Sequence, residues 1–424
     1  MTRLFAGIDV GTSGVRAIAI DAAGAVHGQA SRPMPAPVQA GGALVQDPAI
    51  WWDAVDGCLQ ALANILPARS IAAIAVDGTS GTLLLADAAS TPLAPATMYN
   101  DGSAAALAPK IREIAPPESG AHGASSPLAR LLAAQPHHPG AVHALHQADW
   151  IAGRLLGAFG RTDDNNALKL GFDPVTRTWP GWMDALGVRR ELLPAVVPPG
   201  TAFGPAARPH VARYGLAEGC VVVAGTTDGC ASFLATGADT FGDAVTSLGS
   251  TLTVKLLSDR PVFAPAYGVY SHRLGDRWLV GGASNSGGAA LLRFFTAARM
   301  GELTPLLRPD LPTGYSWHPL PARGERFPVA DPAMGFEPDP RPADDALFFQ
   351  ALLEGIADVE ARAYRLLVEL GAPPLRSLRT VGGGAANPVW TQLRAERLKV
   401  PMPAPTHLEA AYGTALLARR GAAA

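Results

Sequence analysis

Residues 4–16, Leu4-Phe5-Ala6-Gly7-Ile8-Asp9-Val10-Gly11-Thr12-Ser13-Gly14-Val15-Arg16, decide how this chain is read. An apolar run, Leu4–Asp9, ends on a carboxylate. A glycine-rich turn follows, and a second run, Val15–Asp21, returns to the turn Ala22-Ala23-Gly24. Strand, short turn and strand predict a β-hairpin. The design recurs in mid-chain, where Ala244–Leu248 leads into Gly249-Ser250-Thr251 and then Leu252–Leu257. In both copies an aspartate, Asp21 or Asp259, stands ten residues after the leading glycine. Two hairpins of one design predict two related domains facing each other.

Outward from these hairpins the pattern alternates. Helical periodicity over 48–66 follows Asp47, an N-cap residue. The buried-type run Ile71–Val76 enters Asp77-Gly78-Thr79-Ser80-Gly81, and Asp149–Leu156 predicts a helix. The β-branched run Val221–Ala224 leads into Gly225-Thr226-Thr227-Asp228-Gly229, with a helix starting near Cys230. The Pro- and Gly-rich stretch from Pro305 to Pro342 predicts irregular surface. Asp344–Leu370 predicts a long helix with Leu347, Ala351, Leu352, Ile356 and Val359 on its core face. Leu378–Val381 is a strand, Gly382-Gly383-Gly384 a turn, and Asn387-Pro388 a capped helix start. A last helix spans Glu409–Arg419.

The chain has 424 residues, enough for two or three domains. Its 34 basic and 36 acidic residues leave a net charge of −2, which removes the electrostatic case for a nucleic-acid or membrane-surface partner. Cys58, Cys220 and Cys230 are too few and too scattered for a disulfide framework or a zinc knuckle, so a cytoplasmic location is expected. The first residues lack a signal-peptide build. The longest apolar window, Cys220 to Ala238, is broken by Thr226-Thr227-Asp228-Gly229 and predicts no membrane span.

Several stretches could carry chemistry. Asp9 and the Gly11-Thr12-Ser13-Gly14 turn offer a carboxylate, hydroxyls and backbone N–H groups around one bend. That set suits a phosphate and a water-held metal, and equally a polar hairpin turn. Gly249-Ser250-Thr251 would clasp the same phosphates from the other side, or is a plain turn. Gly382-Gly383-Gly384 lacks the dinucleotide-fingerprint spacing; three glycines there either let a flat ring or ribose lie on the backbone or form a helix-entry turn. Asp228, between strand and helix, fits an N-cap and a general base. No Walker-type loop, Gly-x-Ser-x-Gly elbow or protein-kinase motif set is present. His137, His138, His143 and His146 form the one histidine cluster. His143 and His146 would share a helix face, but no carboxylate or cysteine completes a metal site.

These parts resemble the actin-like ATPase superfamily, and within it the FGGY family of carbohydrate kinases. Closer still, the chain is similar to the short D-ribulose kinases of cyanobacteria and plants. The resemblance rests on Gly7–Arg16, Asp77–Thr82, Gln147–Trp150, Asn166–Gly171, Ala224–Asp228, Ala244–Thr251, Gly281–Asn285, Gly324–Pro328 and Gly382–Ala385, in order along nearly the whole chain. It implies an α/β fold of two actin-like (ribonuclease H-like) domains across a cleft. Residues 1–238, with 408–424 packing back, would form the N-terminal domain and 239–407 the C-terminal one.

The resemblance also implies ATP and Mg²⁺, a free sugar as the small-molecule partner, and a monomer or homodimer. Asp228 would be the catalytic base, close to the substrate, with Ser80 as a sugar contact. Asp9, Gly11, Thr12, Ser13 and Arg16 would form the first phosphate and metal loop, Asp9 holding Mg²⁺ through water. Gly249, Ser250 and Thr251 would form the second loop, and Gly383, Gly384, Asn387 and Trp390 the adenosine site. Larger relatives carry Ser-Gly-Gln-Met-His-Gly where this chain has Asp77-Gly-Thr-Ser-Gly-Thr. They also carry Trp and an acidic pair at Tyr99-Asn100-Asp101, so xylulose or glycerol specificity does not transfer. The roles of Asp101, Asn166 and Lys169 stay open.

Overall fold

A computed structural model describes residues 2–423. Contacts divide the chain into two units. The first holds the chain up to Ala235, His272–Gly275 and the residues from His407 onward; the second holds Thr236–Ser271 and Asp276–Thr406.

In the first unit, β1 (Leu4–Val10), β2 (Gly14–Ile20) and β3 (Val26–Pro33) form an antiparallel meander. Strand β4 (Ile71–Gly78) pairs in parallel with β1. Adding β5 (Ala202–Pro205) and β6 (Val221–Val223), the sheet order is β5-β6-β4-β1-β2-β3. Every residue of β1 and β4 is buried, as expected where both faces of a sheet are covered. Helix α1 (Pro48–Ile65) covers one face; the Asp47 side chain caps it by accepting from Ala49 N at 2.9 Å. On the other face lie α4 (Asp228–Ala235) and α7 (Ala410–Gly421).

That second contact requires glycine. A Cβ on Gly7 would stand 2.1 Å from Ala411 O, and one on Gly413 only 1.9 Å from Ala231 O. Strand β1, α7 and α4 therefore meet backbone to backbone.

The second unit repeats the plan. Strands β7 (Asp243–Leu248), β8 (Leu252–Ser258) and β10 (Arg277–Ser284) form a meander, and β11 (Ser377–Val381) lies parallel to β7. With β9 (Tyr270–Leu274) the order is β9-β10-β8-β7-β11. Three antiparallel strands with a parallel strand beside the first is the ribonuclease H-like arrangement, present in both units. Asp21 and Asp259 each follow the second strand of their meander by one residue. The sheet packs on α5 (Asp345–Glu369), capped by Asp344, and α6 (Pro388–Leu398), capped by Asn387.

Four local expectations are corrected. His143–His146 is a strand, not a helix, so these histidines share no helix face. Among the described residues no group of three His, Cys, Asp or Glu is placed to hold a metal. The helix after β6 begins at Asp228 itself rather than near Cys230. Leu347 is 42% exposed, one position outside the buried stripe that starts at Phe348. The stretch 305–342 is irregular but not all surface: Leu320 and Phe327 are fully buried, because the segment lies against the second core. The three cysteines are buried and form no disulfide. Among the described residues no helix is long and apolar enough to cross a membrane.

Candidate active site

In the first unit three carboxylates gather at the C-terminal ends of adjacent strands. Asp9 on β1 faces Asp77 on β4 in register, and Gly78 bridges in parallel to Thr227, which directly precedes Asp228. This is where open α/β sheets bind ligands. Asp77 is completely buried, and the Thr414 hydroxyl on α7 donates to its Oδ2. No N–H or O–H donor reaches Asp77 Oδ1. The group beside it is the Asp9 carboxyl, and two carboxyls bond only when one holds a proton.

Burial first, then the Asp9 charge, pushes Asp77 well above the usual carboxylate range. Of the two carboxyls, Asp77 is the one whose burial favours the protonated form more strongly. Burial also pushes Asp9 up to about 6, helped by repulsion from Asp228 and opposed by the Asp77 hydrogen bond and Arg16. Arg16 lies 3.6 Å from Asp9 and 3.2 Å from Glu409, over half exposed, so it balances charge at the rim.

The turn beyond Asp9 is closed by Gly11 N donating to Gly14 O at 3.0 Å. It is braced from outside by Met34 N on Ser13 O (2.8 Å), and Gln46 Nε2 reaches Thr12 O at 3.4 Å. Thr12 is half-buried and Ser13 exposed. Asp228 is half-buried and opens α4, with Gly229 N donating to its Oδ1 at 2.6 Å. It thus combines a capping position with a reachable carboxylate. The Asp9 carboxylate is the kind of hard oxygen donor that suits Mg²⁺.

The Asp77–Thr82 turn forms the adjoining wall. Gln147 Oε1, at the start of α2 (Gln147–Leu156), accepts from Thr79 N (3.0 Å) and Thr79 Oγ1 (2.8 Å). Thr79 and Thr82 share a 2.6 Å hydroxyl contact, and Arg130 donates to Gly81 O at 2.6 Å. Ser80 is half-buried, and its Oγ finds no partner. Lys169, just past α3 (Asp164–Leu168), reaches Ser80 O at 3.4 Å. Asp101 and Asn166 are fixed locally. Asp101 accepts from Leu44 N and Ser103, and Asn166 donates to Asp163.

In the second unit the Gly249-Ser250-Thr251 turn joins β7 to β8, with Gly249 N donating to Thr251 O at 3.2 Å. Beside it, Gly382 follows β11 with φ +86° and stands so close to Leu248 that a Cβ would lie 2.8 Å from Leu248 O. A Cβ on Gly384 would meet the Trp390 ring at 2.6 Å, whereas Gly383 faces open space. Trp390 is only 3% exposed, so its ring supports the glycine turn from below and offers no face to a ligand. The Asn387 side chain is spent on capping Trp390 N at 3.0 Å and on Thr304 Oγ1 at 3.1 Å. Of the four residues expected around an adenosine, Gly383 alone presents a bare surface, because local packing uses the others.

Motif reading missed Asp77, Gln147, Thr79 and Thr82 as site residues. Asp77-Gly-Thr-Ser repeats the grammar of Asp9-Val-Gly-Thr-Ser, which was the available signal; its pairing with Asp9 is not written locally.

Residues 4–235 match the N-terminal domain of the FGGY family of carbohydrate kinases, and residues 244–422 match its C-terminal domain. The chain belongs to the FGGY family of carbohydrate kinases, and it is a sugar kinase. It is 27% identical to the xylulose kinase of Escherichia coli (strain K12), over 93% of this chain and 84% of that protein. It is 29% identical to the glycerol kinase of Gloeobacter violaceus, over 98% and 87%. A crystal structure described as a xyloylose kinase from Brucella ovis superposes with a TM-score of 0.88 at 25% identity, covering 99% of this chain and 91% of the other.

Proposed function

We propose that this kinase phosphorylates a free ketopentose, D-ribulose before D-xylulose, on its terminal hydroxyl, giving D-ribulose 5-phosphate from ATP. The carrying observation is the carboxylate set at the strand ends, Asp9 in register with the buried Asp77 and the half-buried Asp228 directly after Thr227. Asp228 takes the proton as the sugar oxygen bonds to the γ-phosphorus and the bond to the ADP oxygen breaks. The proton then leaves to solvent. Asp9 would hold Mg²⁺ through water, and the ion would supply neutralisation of the phosphate charge. Gly11 and Gly249 let the backbone approach closely, the Thr12, Ser13, Ser250 and Thr251 hydroxyls grip the phosphates, and the open backbone at Gly383 receives the nucleoside. Ser80, with an unpaired Oγ, contacts the sugar.

D-ribulose is favoured by the Asp77-Gly-Thr-Ser-Gly-Thr turn, which this chain shares with the short ribulose kinases it resembles. D-xylulose is the second reading, because several similar proteins are named xylulose kinases. Sugar-dependent ADP release across ketopentoses, aldopentoses and polyols decides. D-ribulose is expected to give the highest kcat/KM, about tenfold above D-xylulose. D-xylulose on top replaces the first reading with the second, and a polyol or aldose on top removes both.

A further inference from the structure

Glu325 lies in the Pro- and Gly-rich stretch, in the Gly324–Pro328 segment to which no role has been given, and it is 3% exposed and heavily bonded. Its Oε2 accepts from Ser284 Oγ and from His318 Nε2, both at 2.6 Å. Its Oε1 accepts from Asn285 N and Arg326 N, both at 2.8 Å, with Phe327 N at 3.5 Å. A buried carboxylate with this many donors is well compensated, and removing it strands all of them.

The donors are not scattered. Ser284 ends β10, and the chain from Ser284 to Ala289 wraps behind the Gly249–Thr251 turn. Ser286 N donates to Ser284 Oγ at 3.0 Å, and Leu252 N donates to Ser286 O at 2.7 Å. Gly288 N donates to Gly249 O at 2.8 Å, and Ala289 N to Ser250 O at 3.0 Å. The fit is tight: a Cβ on Gly288 would stand 2.8 Å from Gly249 O, and one on Gly287 2.9 Å from Ser250 O. A short chain of hydrogen bonds therefore runs from Glu325 through Ser284 and Ser286 to the backbone of the turn. The Asn285 side chain adds a second tie by donating to Gly324 O at 2.9 Å.

We propose that Glu325 is a positioning residue for nucleotide binding: it clamps Ser284–Ala289, which sets the shape of the Gly249–Thr251 turn. The inference rests on reading that turn as a phosphate site. Glutamine can replace the carboxylate, because Ser284 is able to reverse its hydroxyl and His318 its tautomer, so each accepts from the amide. Alanine cannot.

The test measures steady-state KM for ATP and for sugar in Glu325→Ala, Glu325→Gln, Ser284→Ala and Gly288→Ala, with melting temperature as a check on folding. Glu325→Ala is expected to raise the ATP KM about tenfold while the sugar KM stays within about twofold. Glu325→Gln should stay within about threefold of wild type in both. Ser284→Ala, the mildest change, should shift the ATP KM in the same direction if Glu325→Ala does not fold. Gly288→Ala perturbs the turn directly. If it raises the ATP KM while a folded Glu325→Ala or Ser284→Ala leaves it unchanged, the positioning inference fails alone. If Gly288→Ala also leaves ATP untouched, the turn is not the phosphate site and both readings fall. Parallel rises in both KM values, or no rescue by glutamine, also overturn the positioning role.

Discussion

The turn at Gly11 and the turn at Gly249 stand on the same strand plan and differ in charge. Two residues before each glycine, the first unit has Asp9 and the second Ser247. In register on the neighbouring parallel strand, Asp9 faces Asp77, whereas Ser247 faces Val381. The acidic pair of one half is a hydroxyl beside an apolar side chain in the other. The braces differ as well. Met34 and Gln46 hold the first turn from the following strand and hairpin. The second is held by Ser284–Ala289 and, behind them, Glu325. A repeated scaffold thus carries reactive charge in one copy and neutral grip in the other, which illustrates that chemistry resides in the site rather than the fold.

The largest effect expected from this contrast is at Asp228. Asp228→Asn removes the proton acceptor and should lower kcat about 10³-fold in an ADP-release assay. Next, Asp9→Asn should cost about 10²-fold, while Ser247→Ala, at the matching position of the second unit, stays within about twofold. Equal losses in the two would break the comparison.

A smaller effect concerns pH. Asp77 and Asp9 are raised in the fold, so the native chain holds protons that the unfolded chain releases above about pH 4. Stability from these groups is present below that pH and falls as pH rises through 6. Asp77→Asn mimics the protonated acid without titrating. Its melting temperature should exceed wild type by a few degrees at pH 8 and match it at pH 4. A uniform offset at both pH values would contradict a carboxyl raised by burial at Asp77.

The smallest effect is at Trp390. Its ring is buried and its Nε1 lacks a partner, so Trp390→Phe should leave the ATP KM within about twofold and change stability by ~1 kcal/mol. A large rise in the ATP KM would return Trp390 to the ligand.

Much of this was legible because it is local. Asp47, Asp344 and Asn387 cap their helices by bonds spanning two or three residues, so a short window of sequence contains the whole interaction. The two hairpins were legible for the same reason, since a tight turn writes its own glycines. Long-range pairing was not. Asp77 acquires its meaning from Asp9 on another strand and from Thr414 on the last helix. Glu325 and Ser284 lie 41 residues apart, and composition alone marked the Glu325 segment as surface. The period that suggested a helix face for His143 and His146 belongs to a strand whose pairing partner, Leu83–Ala86, lies far earlier in the chain.

The division of labour is tested most directly by titrating ATP calorimetrically into the Asp9→Asn, Asp228→Asn double variant, with sugar phosphorylation measured on the same protein. The account predicts that nucleotide still binds, through the Gly249–Thr251 turn and the open backbone at Gly383, while phosphoryl transfer is lost. Transfer near the wild-type rate, or loss of nucleotide binding in a folded double variant, would contradict it.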